Sequence, residues 1–260
     1  MRWSKVLAFL LLLLPTSGAA WAPRTPFFLV LLVDARHFDY RDGLALFHSI
    51  HIQRDGKCDV GHAWIVLGGV QEGRERVWEG GHTGEFGLIE PRYLEGVLWL
   101  SEGRTLRMHD GRLFSGSDPN PVRFLHTYLS DGMWQQGSGG HTPSYAVGMD
   151  IDEPTFGAIY AYVMGGAYDF SKYSLTSNQC VTFVAKIAAL ACCPLAHEVT
   201  VTLPKSCSIE GRERILWEDP RYGSITFSTP DVLEASMKEA VQGGRMASAL
   251  DWYMGSLVTP

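Results

Sequence analysis

The chain predicts an α+β fold, strands first and helices after, and three observations carry that reading. Short apolar and β-branched runs bounded by Gly and Asp recur between residues 26 and 151. Beyond Asp150 the apolar residues repeat every three or four positions, which is helical spacing. No internal repeat, low-complexity segment or linker separates the two halves, so both belong to one domain.

The first 22 residues, "MRWSKVLAFLLLLLPTSGAAWA", stand apart from that domain. A basic start (Arg2, Lys5) leads into the apolar run Val6 to Leu14, and small residues flank Trp21 at the end. This is the pattern of a secretory signal peptide, and its apolar part falls short of the ~20 residues that span a membrane. The expectation is an exported protein, periplasmic or secreted, with a mature domain over 23–260.

Within that domain "PFFLVLLVD" (26–34) is a continuous apolar run closed by Asp34, which reads as a buried strand. "HAWIVLGGV" (62–70) and "ERVWEGG" (75–81) read as two more, and "TLRMHDGRLF" (105–114) sets an Asp-Gly turn between apolar flanks, a hairpin signal. A short helix fits Val122, Leu125 and Leu129, and "SYAVGMDI" (144–151) is a further strand. Asp152 is placed to cap a helix carrying Pro154 in its first turn and ending at Gly165-Gly166. A second helix starts at Cys180, with Val181, Val184, Ile187, Ala188 and Ala191 on one face. "EVTVTLP" (198–204) is a strand, and "STPDVLEASMKEAVQGG" opens on a Ser/Thr-Pro cap and stops on two glycines.

Composition excludes several classes. The chain has 46% hydrophobic and 19% charged residues, ordinary values for a globular protein. A net charge of −6 and no basic run argue against nucleic acid as a partner. No GxSxG occurs, which disfavours a serine hydrolase of the α/β type. His48 and His51 stand three apart in "FHSIH", but no carboxylate or HExxH context surrounds them, so no metal site is expected and they read as a surface pair. "QQGSGGH" (135–141) lacks the lysine of a phosphate loop and reads as a flexible loop or lid. No cofactor motif is present.

Five cysteines (58, 180, 192, 193, 207) leave at least one thiol unpaired in an oxidising compartment, and the count does not say which. Cys180 has a distinctive setting. Ser177, Asn178 and Gln179 deliver it to the first turn of an apolar helix, where the partial positive charge of the helix end favours thiolate. The free N–H groups of that turn suit a developing oxyanion. A nucleophilic thiol also needs a base. His62, opening its strand after Gly61, is the candidate, with Glu79 or His82 on or past the next strand to orient its imidazole. Trp64, Trp78 and Trp99 read as core residues, with Trp64 and Trp78 also candidates for lining a cleft.

Together "GHAWIVLGG" and "SNQCVTFV" resemble the circularly permuted branch of the papain-like, NlpC-type cysteine enzymes, which includes lecithin retinol acyltransferase-like proteins and Lnb-type lipoprotein N-acyltransferases. The likeness covers roughly residues 60 to 190. It implies an antiparallel sheet with the nucleophile helix docked on it, Cys180 as nucleophile, His62 as base, and Glu79 or His82 as third member. Asn178 and Gln179 would lie beside the substrate. Many members have Asn directly before the cysteine, whereas Gln179 intervenes here. The implied activity is hydrolysis or transfer of an acyl group from a cell-envelope peptide, lipid or lipoprotein, a lipid substrate bringing peripheral membrane association. The competing reading is a non-catalytic, disulfide-stabilised module that binds peptide or glycan on the same fold. With Cys180 as the odd thiol, Cys207 is expected to bridge Cys192 or Cys193, closing a loop of about 14 residues, and Cys58 to take the one left over.

Overall fold

The structure, a computed structural model, describes residues 21–52, 60–84, 92–209 and 211–256. The first half runs β1 (Phe28–Asp34), α1 (Gly43–Ile52), β2 (His62–Gln71), β3 (Arg74–Thr83), α2 (Tyr93–Ser101), β4 (Leu106–Arg107), β5 (Leu113–Phe114), β6 (Met133–Gln136) and β7 (Tyr145–Asp150). The second runs α3 (Glu153–Met164), α4 (Cys180–Leu190), β8 (Glu198–Thr202), β9 (Ser206–Ile209), β10 (Arg212–Ile215), β11 (Ser224–Ser228), α5 (Pro230–Gln242), β12 (Ala247–Ser248) and α6 (Leu250–Ser256). The mixed α+β class expected from the sequence is what forms.

Six strands make one antiparallel sheet in the order β12-β7-β1-β2-β3-β6. Every residue of β1 is buried, because layers cover the sheet on both faces and a strand in that position reads as unbroken apolar sequence. Alternation along the strands then assigns the faces. Leu29, Leu31, Val33, Ala63, Ile65 and Leu67 point to one side, where α3, α4 and α5 bury Phe156, Ile159, Val184, Ile187, Leu233 and Met237 against them. Phe28, Val30, Leu32, Trp64 and Val66 point to the other, under Ala249 and Tyr253 from the C-terminal end. We call these the helix face and the far face.

A separate apolar cluster joins α2, the 3-10 helix Pro121–His126 and the β8–β11 pair. Leu106 and Phe114 pair across the expected Asp-Gly hairpin. Asp152 caps α3 by accepting from the Thr155 N–H at 2.9 Å. Gln135 and Gln136, expected in a loop, lie in β6 and pair with β3, with the turn following.

Residues 1–20 of the expected leader and Cys58 lie outside the described residues. Trp21, near the leader's end, packs against Phe28 and Trp252. Among the described residues no helix is long and apolar enough to cross a membrane, and no group of three or more His, Cys, Asp or Glu could hold a metal ion. His48 is exposed, and the side chain of His51 is outside the description.

The disulfide expectation does not hold. Cys192, Cys193 and Cys207 are all unpaired. Cys193 is buried in the core under the helix face, whereas Cys207 packs against the separate α2 cluster. The two sulfurs belong to different layers of the molecule.

Candidate active site around Cys180

Helix α4 begins with a tightly fitted cap. The Gln179 amide oxygen accepts from the Val181 N–H at 2.7 Å and from the Cys180 thiol at 3.4 Å. Its amide nitrogen donates to the Ser228 carbonyl at 2.5 Å. The Gln179 N–H donates to the Thr182 hydroxyl at 2.7 Å, closing a reciprocal cap across the first turn. Gln179 therefore holds the thiol in place, with both the oxygen and the nitrogen of its buried amide bonded within the protein. Asn178 serves a different end: its amide nitrogen ties down the carbonyls of Asp169 and Lys172 at 2.9 and 2.6 Å.

This cap presents the thiol to the helix face of the sheet. Cys180 is 5% exposed and packs in the same cluster as Ala63. Burial pushes its pKa up to about 11, against the backbone at Ala63, the Tyr173 hydroxyl and the backbone at Val181 and Cys180, which favour the thiolate. The first-turn donors act as expected, but desolvation outweighs them. The resting group is a thiol.

The residue after His62 faces Cys180, so His62 itself cannot. Its imidazole lies on the far face, stacked 5.8 Å from the Trp64 ring and 4.8 Å from that of His141. A Cβ at Gly81, on that face, would come within 3.1 Å of His62 Nε2. His141 Nδ1 in turn meets the Asp34 carboxylate at 2.9 Å, and Asp34 pairs in register with His62. Alternation thus turns the His62 ring and the Cys180 sulfur, the pair implied by the resemblance, to opposite faces of the sheet. A strand turns alternate side chains to opposite faces, and α4 docks on the side that Ala63 takes.

Glu79 shares the far face. Its Oε1 accepts from Trp64 Nε1 at 3.1 Å and from the Tyr253 hydroxyl at 2.7 Å, so it braces an aromatic cluster and does not orient either histidine. Trp64 has no exposed surface, and Trp78 is sandwiched with Phe156 and Tyr160. Trp64 is a core residue, and Trp78 is half-buried against the core.

His82 is the histidine on the thiol's side. It is fully buried, and the rings of Tyr168, Phe170 and Tyr173 surround it with centroids 5.2 to 5.5 Å away. Its Nδ1 lies 2.9 Å from the Tyr168 hydroxyl. The glycines flanking it make room: a Cβ at Gly84 would sit 2.5 Å from the Tyr173 ring, and one at Gly132 would sit 2.8 Å from His82 Nε2. Burial lowers its pKa to about 4, opposed by the Phe170 carbonyl and the charge of Asp169. Tyr168 packs in the same cluster as Cys180, and after burial the charge of Cys180 raises the pKa of both Tyr168 and Tyr173. Both tyrosines contact the His82 ring and lie within range of the Cys180 charge.

Sequence reasoning passed over both tyrosines. The only signal was their density just upstream of the cysteine, in "AYDFSKYSL". Beside them opens a cleft of about 560 Å³, bordered by Tyr168, Asn178 and Lys186. No family model matches this chain, and no curated protein or solved structure is significantly similar to it.

Proposed function

We propose that the protein is an exported, cysteine-dependent acyl-transfer enzyme, with Cys180 as nucleophile and His82 as its proton partner. The observation that carries the reading is the buried thiol at the first turn of α4, on the same face of the sheet as His82, whose Nδ1 lies 2.9 Å from the Tyr168 hydroxyl in the cluster that also holds Cys180. Because both groups rest uncharged, the chemistry is that of a general base and not of a preformed thiolate–imidazolium pair. Sulfur attacks the acyl carbonyl as its proton passes to His82. The C–S bond forms, the bond to the leaving group breaks, and His82 returns the proton to that group. Water or an amine then attacks the thioester, giving up its proton to His82, and the thiol is restored. The substrate class follows from the resemblance stated above, a cell-envelope peptide, lipid or lipoprotein, and the permuted papain-like fold belongs to the same proposal.

A second reading has one observation in its favour. A 5% exposed cysteine with a raised pKa also describes a core thiol in a non-catalytic binding module, now without the expected disulfides. Intact-mass analysis after incubation with p-nitrophenyl acetate separates the two. In a Cys192→Ser background, which removes the exposed thiol, gain of one acetyl group that is lost on adding Cys180→Ala and kept on adding Cys193→Ser supports the enzyme. An unchanged adduct after Cys180→Ala, or none in Cys192→Ser alone, sinks it.

A further inference from the structure

The cleft bordered by Tyr168 and Asn178 has an uneven charge. Three cations and two carboxylates line it, Arg112, Lys172 and Lys186 against Asp110 and Asp169. Two of the cations are already engaged. Arg112 donates to Asp110 at 2.5 Å and to the Thr127 hydroxyl at 3.0 Å, and Lys172 lies 3.4 Å from Asp169. Lys186 stands on the exposed side of α4, its Nζ 5.3 Å from the centre of the Tyr168 ring. Among the described residues it forms no ion pair. Its charge is felt inside, where it pushes the His82 pKa down.

We infer that this cleft binds a carboxylate-bearing ligand whose negative charge is met by Lys186, the aliphatic part lying against the Tyr168 and Tyr162 rings. One surplus positive charge matches a monoanion. A phosphate dianion would face Asp110 and Asp169 with a charge that the single spare cation does not balance. The aromatic walls suit the apolar part of such a ligand, with an ammonium and a tyrosine ring side by side. The inference deepens the acyl-transfer reading and rests on it only for what the carboxylate is attached to; binding itself needs no thiol.

The test is calorimetric titration of the full chain at neutral pH with N-acetylalanine, its methyl ester and inorganic phosphate. N-acetylalanine should bind saturably, the uncharged ester should not, and added salt should weaken binding. Lys186→Ala, an exposed position, should weaken it about fivefold or more, and Lys186→Arg should restore it. Cys180→Ser should bind as the unaltered protein does. The acetyl-adduct assay then keeps the two ideas apart: binding by a protein that retains Cys180 yet takes no acyl group on it removes the enzyme reading and leaves the site. Absence of saturable binding, indifference to Lys186→Ala, or tighter binding of phosphate than of N-acetylalanine would overturn the inference.

Discussion

His62 and Cys180 are separated by the thickness of one sheet: the imidazole stacks on Trp64 and His141 on the far face, while the thiol packs with Ala63 on the helix face. His82 takes the position on the thiol's side, and the division of labour between the two histidines is open to direct measurement.

The proposed roles predict opposite outcomes for the two histidines. His82→Ala should abolish formation of the acyl adduct. His62→Ala should leave the adduct and instead lower stability by about 1–3 kcal/mol, since it empties a buried, ring-stacked position. Adduct kinetics alongside chemical denaturation read both. Loss of the adduct in a well-folded His62→Ala with retention in His82→Ala would reverse the assignment.

Acid stability should carry the mark of His82. Its folded pKa, about 4, lies below the ordinary 6.5, so the unfolded chain binds the proton more readily. The stability this provides is present above pH 6.5 and is lost as pH falls through about 4. His82→Gln should flatten the denaturation midpoint across that window, although it lowers stability at neutral pH.

Thiol labelling should be selective. Cys192 is exposed and should react with iodoacetamide first. Cys180, with its pKa at about 11, holds only about 10⁻⁴ of its thiol as thiolate at pH 7 and should label slowly, faster as pH rises toward 11. The same shift means that its contribution to stability is intact below pH 9 and declines between 9 and 11. Mass mapping over a pH series checks both statements; prompt labelling of Cys180 at pH 7 contradicts them.

Gln179→Ala removes a helix cap, a thiol contact and the partner of the Ser228 carbonyl together. The expected cost is about 2–3 kcal/mol by chemical denaturation, above the ~1 kcal/mol of an ordinary cap. Acylation should fall with it, because the sulfur loses its fixed position.

Glu79→Gln should behave as a structural change. The amide oxygen can still accept from Tyr253 or Trp64, so the loss should be about 1–2 kcal/mol with the acylation rate unchanged. A steep fall in acylation with normal stability would return Glu79 to the site.

Local periodicity and local caps could be read directly from the amino-acid order. The strands at β1, β2, β3 and β7, the Asp-Gly hairpin, and helices α3, α4 and α5 with their starts were all legible, as was Cys180 at the head of α4. Helix α2 and the edge strands β6 and β12 were not, because a short or edge element takes its form from the surface it leans on. The glycines around His82 hinted that the backbone there was shaped to seat a side chain. Which histidine shares the thiol's face depends on long-range packing. Alternation separates His62 from Ala63 whatever the fold, but nothing local says on which side α4 will dock, and that choice brings His82, Tyr168 and Tyr173 to the thiol. The same holds for the cysteines: spacing allowed Cys207 to reach Cys192 or Cys193, and burial in separate apolar clusters keeps Cys193 and Cys207 apart.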